Sequence, residues 1–337
     1  MQNSPAGART SRTTNRRVWA SGFLLVMFLG VAIPCASAAY PDRPLRLIVP
    51  FPAGNPLDVR ARQLANHLPA LLGQQVIVDN RGGASGVIAM EIVAKAAPDG
   101  YTLLFANSTQ LASNPAMAGK LPYDVFRDYA PVSLLARTPS LFVVSNSIPA
   151  KSLKELIALA KAKPGQLNFA SQGNGTVQHV AGELFMRLTG TQMVHVQYKV
   201  YSQILTDLFT GQVALIIGGT PVLIPHVQAG RLRALAVNTQ KRLPSLPDVP
   251  TFDEAGVSDF WPAPWYGVLV PAGTSARIVG TLNAAFNKTL QAADVVDTAV
   301  REGQTLLGSS PPEFAAFIKV EFARYQKLIR DTGMRLE

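Results

Sequence analysis

The sharpest change of hydrophobic rhythm lies at Leu45–Gly73, LRLIVPFPAGNPLDVRARQLANHLPALLG. Leu45–Val49 is a short apolar run of strand length. Pro50, Pro52, Pro56 and Gly54 then stop strand and helix alike through Pro50–Asp58. Helical spacing returns with Leu64, Leu68, Leu71 and Leu72, and Gly73 ends it. Strand, tight loop and helix in this order set a helix N-terminus at the carboxyl end of a sheet, where unpaired N–H groups and the helix dipole favour an anion. By itself such a connection is commonplace and carries no function.

The alternation continues. Gln75–Asp79 reads as a strand, Ala84–Ala97 as a helix, and Tyr101–Phe105 as a strand leading into the polar loop Asn107-Ser108-Thr109. Leu134–Ala136 and Leu141–Val144 are strand-like, and the first passage between domains is expected there. Ser152–Ala162 reads as a helix capped by Ser152. Leu167–Ala170 is a strand and Ser171–Gly175 a loop. Thr176–Thr189 is the clearest helix, with Val177, Val180, Ala181, Leu184, Phe185 and Leu188 on one face. Strands are expected at Val194–Tyr198, Val213–Ile217 and Leu232–Val237, and helices at Ser202–Thr210 and Val222–Ala229. Lys241–Gly256 is a proline-rich surface excursion. After a strand at Trp265–Val270, two long helices, Ala276–Ala292 and Pro312–Arg330, finish the chain and pack back on the first lobe. The class is α/β with a parallel sheet. Two domains are expected from the length, the first discontinuous (39–140 plus 262–337) and the second 141–261.

Composition changes this picture at one end. Arg16-Arg17 precede the apolar run Phe23–Ile33, and Ala36-Ser37-Ala38 offers a cleavage site, so 1–38 reads as a signal peptide cut near Ala38. A Sec signal is the default, with the paired arginines leaving twin-arginine export open. No other segment is long and apolar enough to span a bilayer. The expected location is the periplasm. Cys35 is the only cysteine and lies within this segment, which leaves the mature chain without a thiol for disulfide, nucleophile or metal.

Of 31 Lys and Arg residues, four (Arg9, Arg12, Arg16, Arg17) precede the cut, leaving 27 against 21 acidic residues. That mild, scattered positive balance suits a small anion better than a nucleic-acid track. His67, His179, His195 and His226 fall at no metal-ligand spacing, and neither a G-x-S-x-G elbow nor a Walker loop occurs. Gly173-Asn174-Gly175-Thr176 opens a helix after a strand but has Gln178 where a dinucleotide fingerprint needs its third glycine. No cofactor is expected. The same turn suits an anion, since it exposes backbone N–H groups beside the Ser171 and Thr176 hydroxyls. Pro50–Asp58 and Ser171–Thr176 would line one cleft if the lobes face each other. Tyr198-Lys199 ends another strand and offers a hydroxyl and a charge, although Lys199 reads equally as a solvated surface lysine.

Several blocks resemble a known family. They are YPDRPLRLIVPFPAG (Tyr40–Gly54), APDGYTLL (Ala97–Leu104), KLPYD (Lys120–Asp124), NFASQGNGT with VAGELF (Asn168–Phe185), LTDLFTGQV (Leu205–Val213), LRALAV with LPDVPTFDEAG (Leu232–Gly256), and PAGT (Pro271–Thr274). Together they resemble the Bug, or TctC-like, substrate-binding proteins of tripartite tricarboxylate transporters. The resemblance implies a two-lobed periplasmic binding protein of type II topology, monomeric, with its ligand cleft between the lobes, that hands a small carboxylate to a membrane permease. It places a ligand carboxylate at the first loop (Phe51, Pro52, Ala53, Gly54, Asn55, Leu57, Asp58) and the Gly-rich loop (Ser171, Gly173, Asn174, Gly175, Thr176). Asn107, Ser108, Thr109, Tyr198, Lys199, Tyr201, Asp207, Gly219 and Thr220 would contact the rest.

The chain departs from the family at three places. Where a glycine pair and a hydroxyl residue usually precede the Asp, this chain has Gly54-Asn55-Pro56-Leu57. Pro56 removes a backbone donor and Leu57 replaces a hydroxyl with an apolar side chain. Val200-Tyr201 follow Tyr198-Lys199 in place of Gly and a small residue, and Gly218-Gly219 stand where an Asp is common. These changes imply a ligand more apolar or aromatic than citrate or a short dicarboxylate, flanked by Phe51, Tyr201, Trp261 or Trp265. Two other readings stay open: a sensor subunit docking on a membrane kinase, and a hydrolase or isomerase using Asp58, Lys199 or a histidine.

Overall fold

The computed structural model describes residues 40–117 and 120–332, so the expected signal peptide lies outside the described residues. β1 (Leu45–Val49) is flanked by β2 (Val76–Asn80) and β3 (Thr102–Asn107), both parallel to it. Leu45, Leu47, Ile48 and Val49 are wholly buried, as a strand covered on both faces requires. Between β1 and β2 runs α1 (Pro56–Leu72), with Pro56 at its first turn, Asn55 as N-cap and Gly73 closing it at φ 70°. Its buried stripe is Leu57, Ala61, Leu64, Leu68 and Leu72, whereas Leu71 is exposed.

The helix expected over Ala84–Ala97 is shorter. Gly83, Ala84, Ser85 and Gly86 all have positive φ, forming a tight turn before α2 (Val87–Ala94). Beyond β3 the expected polar loop is instead a wound segment, Thr109–Ser113 followed by α3 (Asn114–Met117). β4 (Tyr129–Arg137) ends the first run through this sheet.

The chain leaves at Thr138-Pro139 for a second sheet. It comprises β5 (Ser140–Ser145), β6 (Asn168–Ser171), β7 (Val194–Gln197), β8 (Leu215–Gly219) and β9 (Leu232–Val237). The connecting helices are α4 (Leu153–Ala162), α5 (Val177–Thr189), α6 (Tyr201–Thr210) and α7 (Thr220–Gln228). The chain returns through Asn238–Pro264 to β10 (Trp265–Pro271), then α8 (Ala276–Thr289), α9 (Ala293–Glu302), β11 (Thr305–Leu306) and α10 (Pro311–Thr332). Three helices, not two, therefore complete the chain. Val295 and Ala299 bury the inner face of α9, and Gly303 ends it at φ 66°.

The strand orders are β11-β4-β10-β3-β1-β2 and β7-β6-β8-β5-β9. Neither sheet is purely parallel: β10 runs antiparallel to β3 and β4, and β5 antiparallel to β8 and β9. The reversals arise because the two strands entering or leaving each sheet at the crossings come from the other sheet rather than through a right-handed helical crossover. One apolar cluster is continuous from Ile48 and Leu104 in the first sheet, through Trp265 and Tyr325, to Phe142 and Phe169 in the second.

Candidate functional site

The carboxyl ends of β1, β3, β6 and β8 converge on one cavity of about 50 Å³. From the first sheet it is lined by Phe51, Asn55, Pro56, Leu57, Arg60, Asn107, Thr109 and Tyr266. The second sheet adds Gln172, Val177, Gln178, Ile217, Gly218, Gly219 and Pro221, and Thr138 and Pro264 from the two crossings close the wall. The lining sets four amides, three hydroxyls (Thr109, Thr138, Tyr266) and the Arg60 guanidinium among hydrocarbon. Such a wall holds a small organic ligand and orients it by few polar groups.

The first corner is the N-terminus of α1. Asn55 Oδ1 accepts the Leu57 N–H at 2.7 Å, capping the helix, and Asn55 Nδ2 donates to Gln172 Oε1 of the other sheet at 2.6 Å. Pro56 occupies the first helical position, where its missing N–H breaks no intrahelical bond. Behind the loop, buried Asp58 accepts from Gly54 N–H at 2.9 Å and Asn80 Nδ2 at 2.9 Å, and pairs with Arg62 at 3.0 Å. Burial alone would raise its carboxyl pKa. The Gly54 N–H, Arg62 and Asn80 outweigh burial and hold it below the usual carboxylate range.

The second corner is the N-terminus of α5. Thr176 Oγ1 caps it, accepting from His179 N–H at 3.4 Å. The loop before it is fastened to the first sheet: Ser85 Oγ donates to Asn174 O at 2.8 Å, Ser113 Oγ donates to Gly175 O, and Thr109 Oγ1 accepts the Val177 N–H at 3.3 Å. Beneath the loop, Ser171 Oγ lies 2.6 Å from His195 Nε2, and Gly175 N–H donates to His179 Nδ1 at 3.2 Å. The two imidazoles stack with centroids 4.3 Å apart. Burial lowers both pKa values to about 4, with His195 adding to the fall at His179. Ser171 is wholly buried outside the cavity lining, and an imidazole of such low basicity is a poor general base.

Of the residues singled out from the sequence, Phe51, Asn55, Leu57, Asn107, Thr109 and Gly219 line the cavity. Ala53 and Gly54 face solvent, Pro52 accepts from Asn55 N–H, and Asp58 braces the loop from behind. Ser108 is wholly buried beside the lining. Ser171, Gly173, Asn174, Gly175 and Thr176 build the second corner, yet the lining there comes from the neighbouring Gln172, Val177 and Gln178. Tyr198 donates to Asp207 Oδ2 at 2.7 Å, away from the cavity, and Lys199 is exposed. Tyr201 sits in the core of the second sheet, behind Gly218. Thr220 Oγ1 donates to Glu302 O at 2.8 Å, tying α7 to α9. Trp265 is wholly buried and donates to Glu321 at 2.9 Å, and Trp261 lines a separate groove beside the crossings.

Sequence reasoning missed Arg60, Tyr266 and the crossing residues Thr138 and Pro264, while Gln172 fell within the loop Ser171–Thr176 that it singled out. Arg60 left a signal, because it stands three residues after Leu57 and four before Leu64, a charge on the buried stripe of α1. The others left none, since their approach depends on how the sheets meet. Among the described residues no cluster of His, Cys, Asp or Glu could hold a metal, and no helix is long and apolar enough to cross a membrane.

Comparison with known proteins bears on this geometry. The sequence model of a family described as the tripartite tricarboxylate transporter family receptor matches residues 60–334. Protein BugT of Bordetella pertussis is 38% identical over 315 residues, covering 93% of this chain and 97% of that protein. The solved periplasmic binding protein BugD superposes with a TM-score of 0.84 at 30% identity, over 88% of this chain and 99% of that one. A Rhodopseudomonas palustris protein solved with adipate gives a TM-score of 0.84 at 35% identity, over 88% and 99%. MatC from Rhodopseudomonas palustris, solved with bound malate, gives 0.82 at 31%, over 86% and 100%.

Proposed function

The chain belongs to the tripartite tricarboxylate transporter family of receptors, and on that premise we propose that it captures a small carboxylate in this cavity and delivers it to a tripartite permease. One observation carries the reading: two helix N-termini from different sheets, those of α1 and α5, line one cavity, where Asn55 donates to Gln172 of the loop before α5 and Thr109 of the first sheet accepts the Val177 N–H of α5. Such termini favour a carboxylate. Relatives solved with adipate and with malate support the ligand class. The family is one of receptors, so the chain is a binding protein rather than an enzyme.

A cavity of about 50 Å³ has room for little more than water. Admitting a ligand therefore requires the lobes to part and close again about the crossings at Thr138-Pro139 and Asn238–Pro264. The lobes are 39–140 plus 262–337 and 141–261. The carboxylate lies beside Asn55, Gln172 and Gln178, with Phe51, Leu57, Val177 and Ile217 against an apolar body. The chain acts as a periplasmic monomer after cleavage near Ala38, and a permease rather than a signalling kinase is its partner.

A ligand that closes the lobes stabilises the fold by mass action, about 2.7 kcal/mol at 100 times its dissociation constant. The test is a thermal-shift and calorimetric screen of the chain from Ala39, unfolded and refolded to strip carried-over ligand, against aliphatic, hydroxy, amino and aromatic carboxylates. A dose-dependent rise in Tm with one chemical group is the expected result. A flat response to the whole panel overturns the reading.

A further inference from the structure

If the cavity receives a carboxylate, the reading on which this inference rests, its lining also shows what the other end of the ligand must be. Arg60 is the one Lys, Arg, Asp or Glu in that lining. Its side chain is 6% exposed. One terminal nitrogen donates to Gln63 Oε1 and the other pairs with Glu302 Oε2, while the buried Nε–H has no partner. Glu302 Oε2 also accepts from Gln304 Nε2 at 2.6 Å, and Gln304 Oε1 accepts from Tyr266 at 2.8 Å. The guanidinium is thus held in a fixed orientation at the cavity wall, with its Nε–H left without a partner.

A tether between α1 and α9 explains part of this arrangement only. Buried ion pairs are costly, and apolar side chains of similar volume hold two helices together as well or better. A tether also gives no reason for a charged side chain to line the cavity with an unsatisfied N–H, which is itself destabilising. A ligand acceptor supplies both reasons. A guanidinium presents its donors in a planar fork that matches a carboxylate. Burial pushes Glu302 upward, with Arg60 opposing that rise, so an incoming carboxylate is the more readily ionised partner. The wall near Arg60 includes Phe51, Leu57, Ile217 and Pro264, which suits a hydrocarbon link between two polar ends.

We propose that Arg60 is a specificity-determining residue that takes the far carboxylate of an aliphatic dicarboxylate whose near carboxylate lies at the N-termini of α1 and α5. Ligand closure then gives an acceptor to the buried Nε–H, which the protein alone leaves unpaired. Monocarboxylates of the same length leave that donor unpaired and bind more weakly.

The test is calorimetry with straight-chain dicarboxylates of increasing length, each beside the monocarboxylate and the half-amide of equal length. The wild-type chain is compared with Arg60→Lys and with Arg60→Met carrying Glu302→Gln, which removes the pair without stranding a buried carboxylate. At least one dicarboxylate is expected to bind the wild type about tenfold or more tightly than its monocarboxylate. In the double variant that ratio falls toward one, and Arg60→Lys lies between. Equal affinity of the wild type for both acids overturns the inference and needs no folded variant to be read. So does a ratio that survives in the double variant. Binding of monocarboxylates alone sinks the role of Arg60 but leaves the receptor intact, whereas binding of neither acid sinks the carboxylate reading itself.

Discussion

Asn55 uses both halves of one amide, Oδ1 to cap α1 and Nδ2 to reach Gln172 in the other sheet. A serine keeps an N-cap acceptor and loses the reach. Asn55→Ser is therefore expected to leave Tm nearly unchanged while weakening ligand affinity by roughly three- to tenfold, the net worth of one hydrogen bond made on closure. Equal loss in Tm and affinity would show that the cap dominates. Asp58 acts from behind the same loop. Its depressed carboxyl contributes stability that is complete above the unfolded value of 3.8 and disappears as pH falls through the lower folded value. Asp58→Asn should cost roughly 1–3 kcal/mol at neutral pH, read by urea unfolding, and should remove part of the loss at the acid end. The apolar residue expected to reshape the first loop, Leu57, does line the cavity. Tyr201, expected beside the ligand, is buried behind Gly218 because it occupies an inward position at the start of α6.

At the scale of elements, the turn Gly83–Gly86 and the loop Ser171–Thr176 work as a matched pair. Ser85, at φ 53°, reaches Asn174, and Gly173, at φ 125°, leaves only 2.7 Å between a would-be Cβ and Ser85 Oγ. A side chain at Gly173 is thus both strained in its own backbone and in the way of the opposite lobe. Gly173→Ala should cost roughly 1–3 kcal/mol in stability and weaken ligand binding. Adding Ser85→Ala removes the obstructing hydroxyl, so the double variant should recover part of the binding loss but none of the backbone strain. Strictly additive losses in calorimetry would refute this pairing. The helix expected over Ala84–Ala97 hides the turn, because Ala84 and Ser85 are ordinary helix-compatible residues and only their neighbours Gly83 and Gly86 hint at left-handed backbone. The wound segment at Thr109–Ser113 is likewise silent in the sequence. The side-chain amides of Gln110 and of Asn114 just after it donate to Ser85 O, at 3.0 and 3.1 Å, across a contact that no local pattern encodes.

Across the whole molecule, acid acts through the stacked histidines. Both hold a pKa near 6.5 when unfolded and about 4 when folded. Between those values the unfolded chain binds protons that the folded chain refuses, so stability rises with pH over this window and is fully present above it. Glu183, 3.7 Å from His179 Nε2, is itself pushed up by burial and offers little compensation as the imidazoles charge. Protonation of His179 at Nδ1 also breaks its bond from Gly175 N–H, loosening the loop that meets the ligand. Melting temperature should therefore fall steeply from pH 6.5 to 4, and His195→Asn should make that slope shallower. An unchanged slope in that variant would place the acid sensitivity elsewhere.

Signals that act within one turn or one strand were readable along the chain. Period-two and period-3.6 burial placed nearly every strand and helix. Gly73 marked the stop of α1, and Thr176 and Gly190 the ends of α5, whereas the start of α1 at Pro56 fell inside the loop expected over Pro50–Asp58. From these came the α/β class and the two helix N-termini at which an anion would sit. The direction of β5 and β10, the meeting of Gln172 with Asn55, and the presence of Arg60 in the cavity were not readable. Each depends on a chain that leaves the first sheet and later returns to it, and so on contacts between residues far apart along the chain. Hydrophobic spacing records which side of an element is covered, but not what covers it. A charge on a covered face can therefore be seen in the sequence, while its neighbours, Glu302 and an apolar cavity, exist only once the chain has folded back on itself.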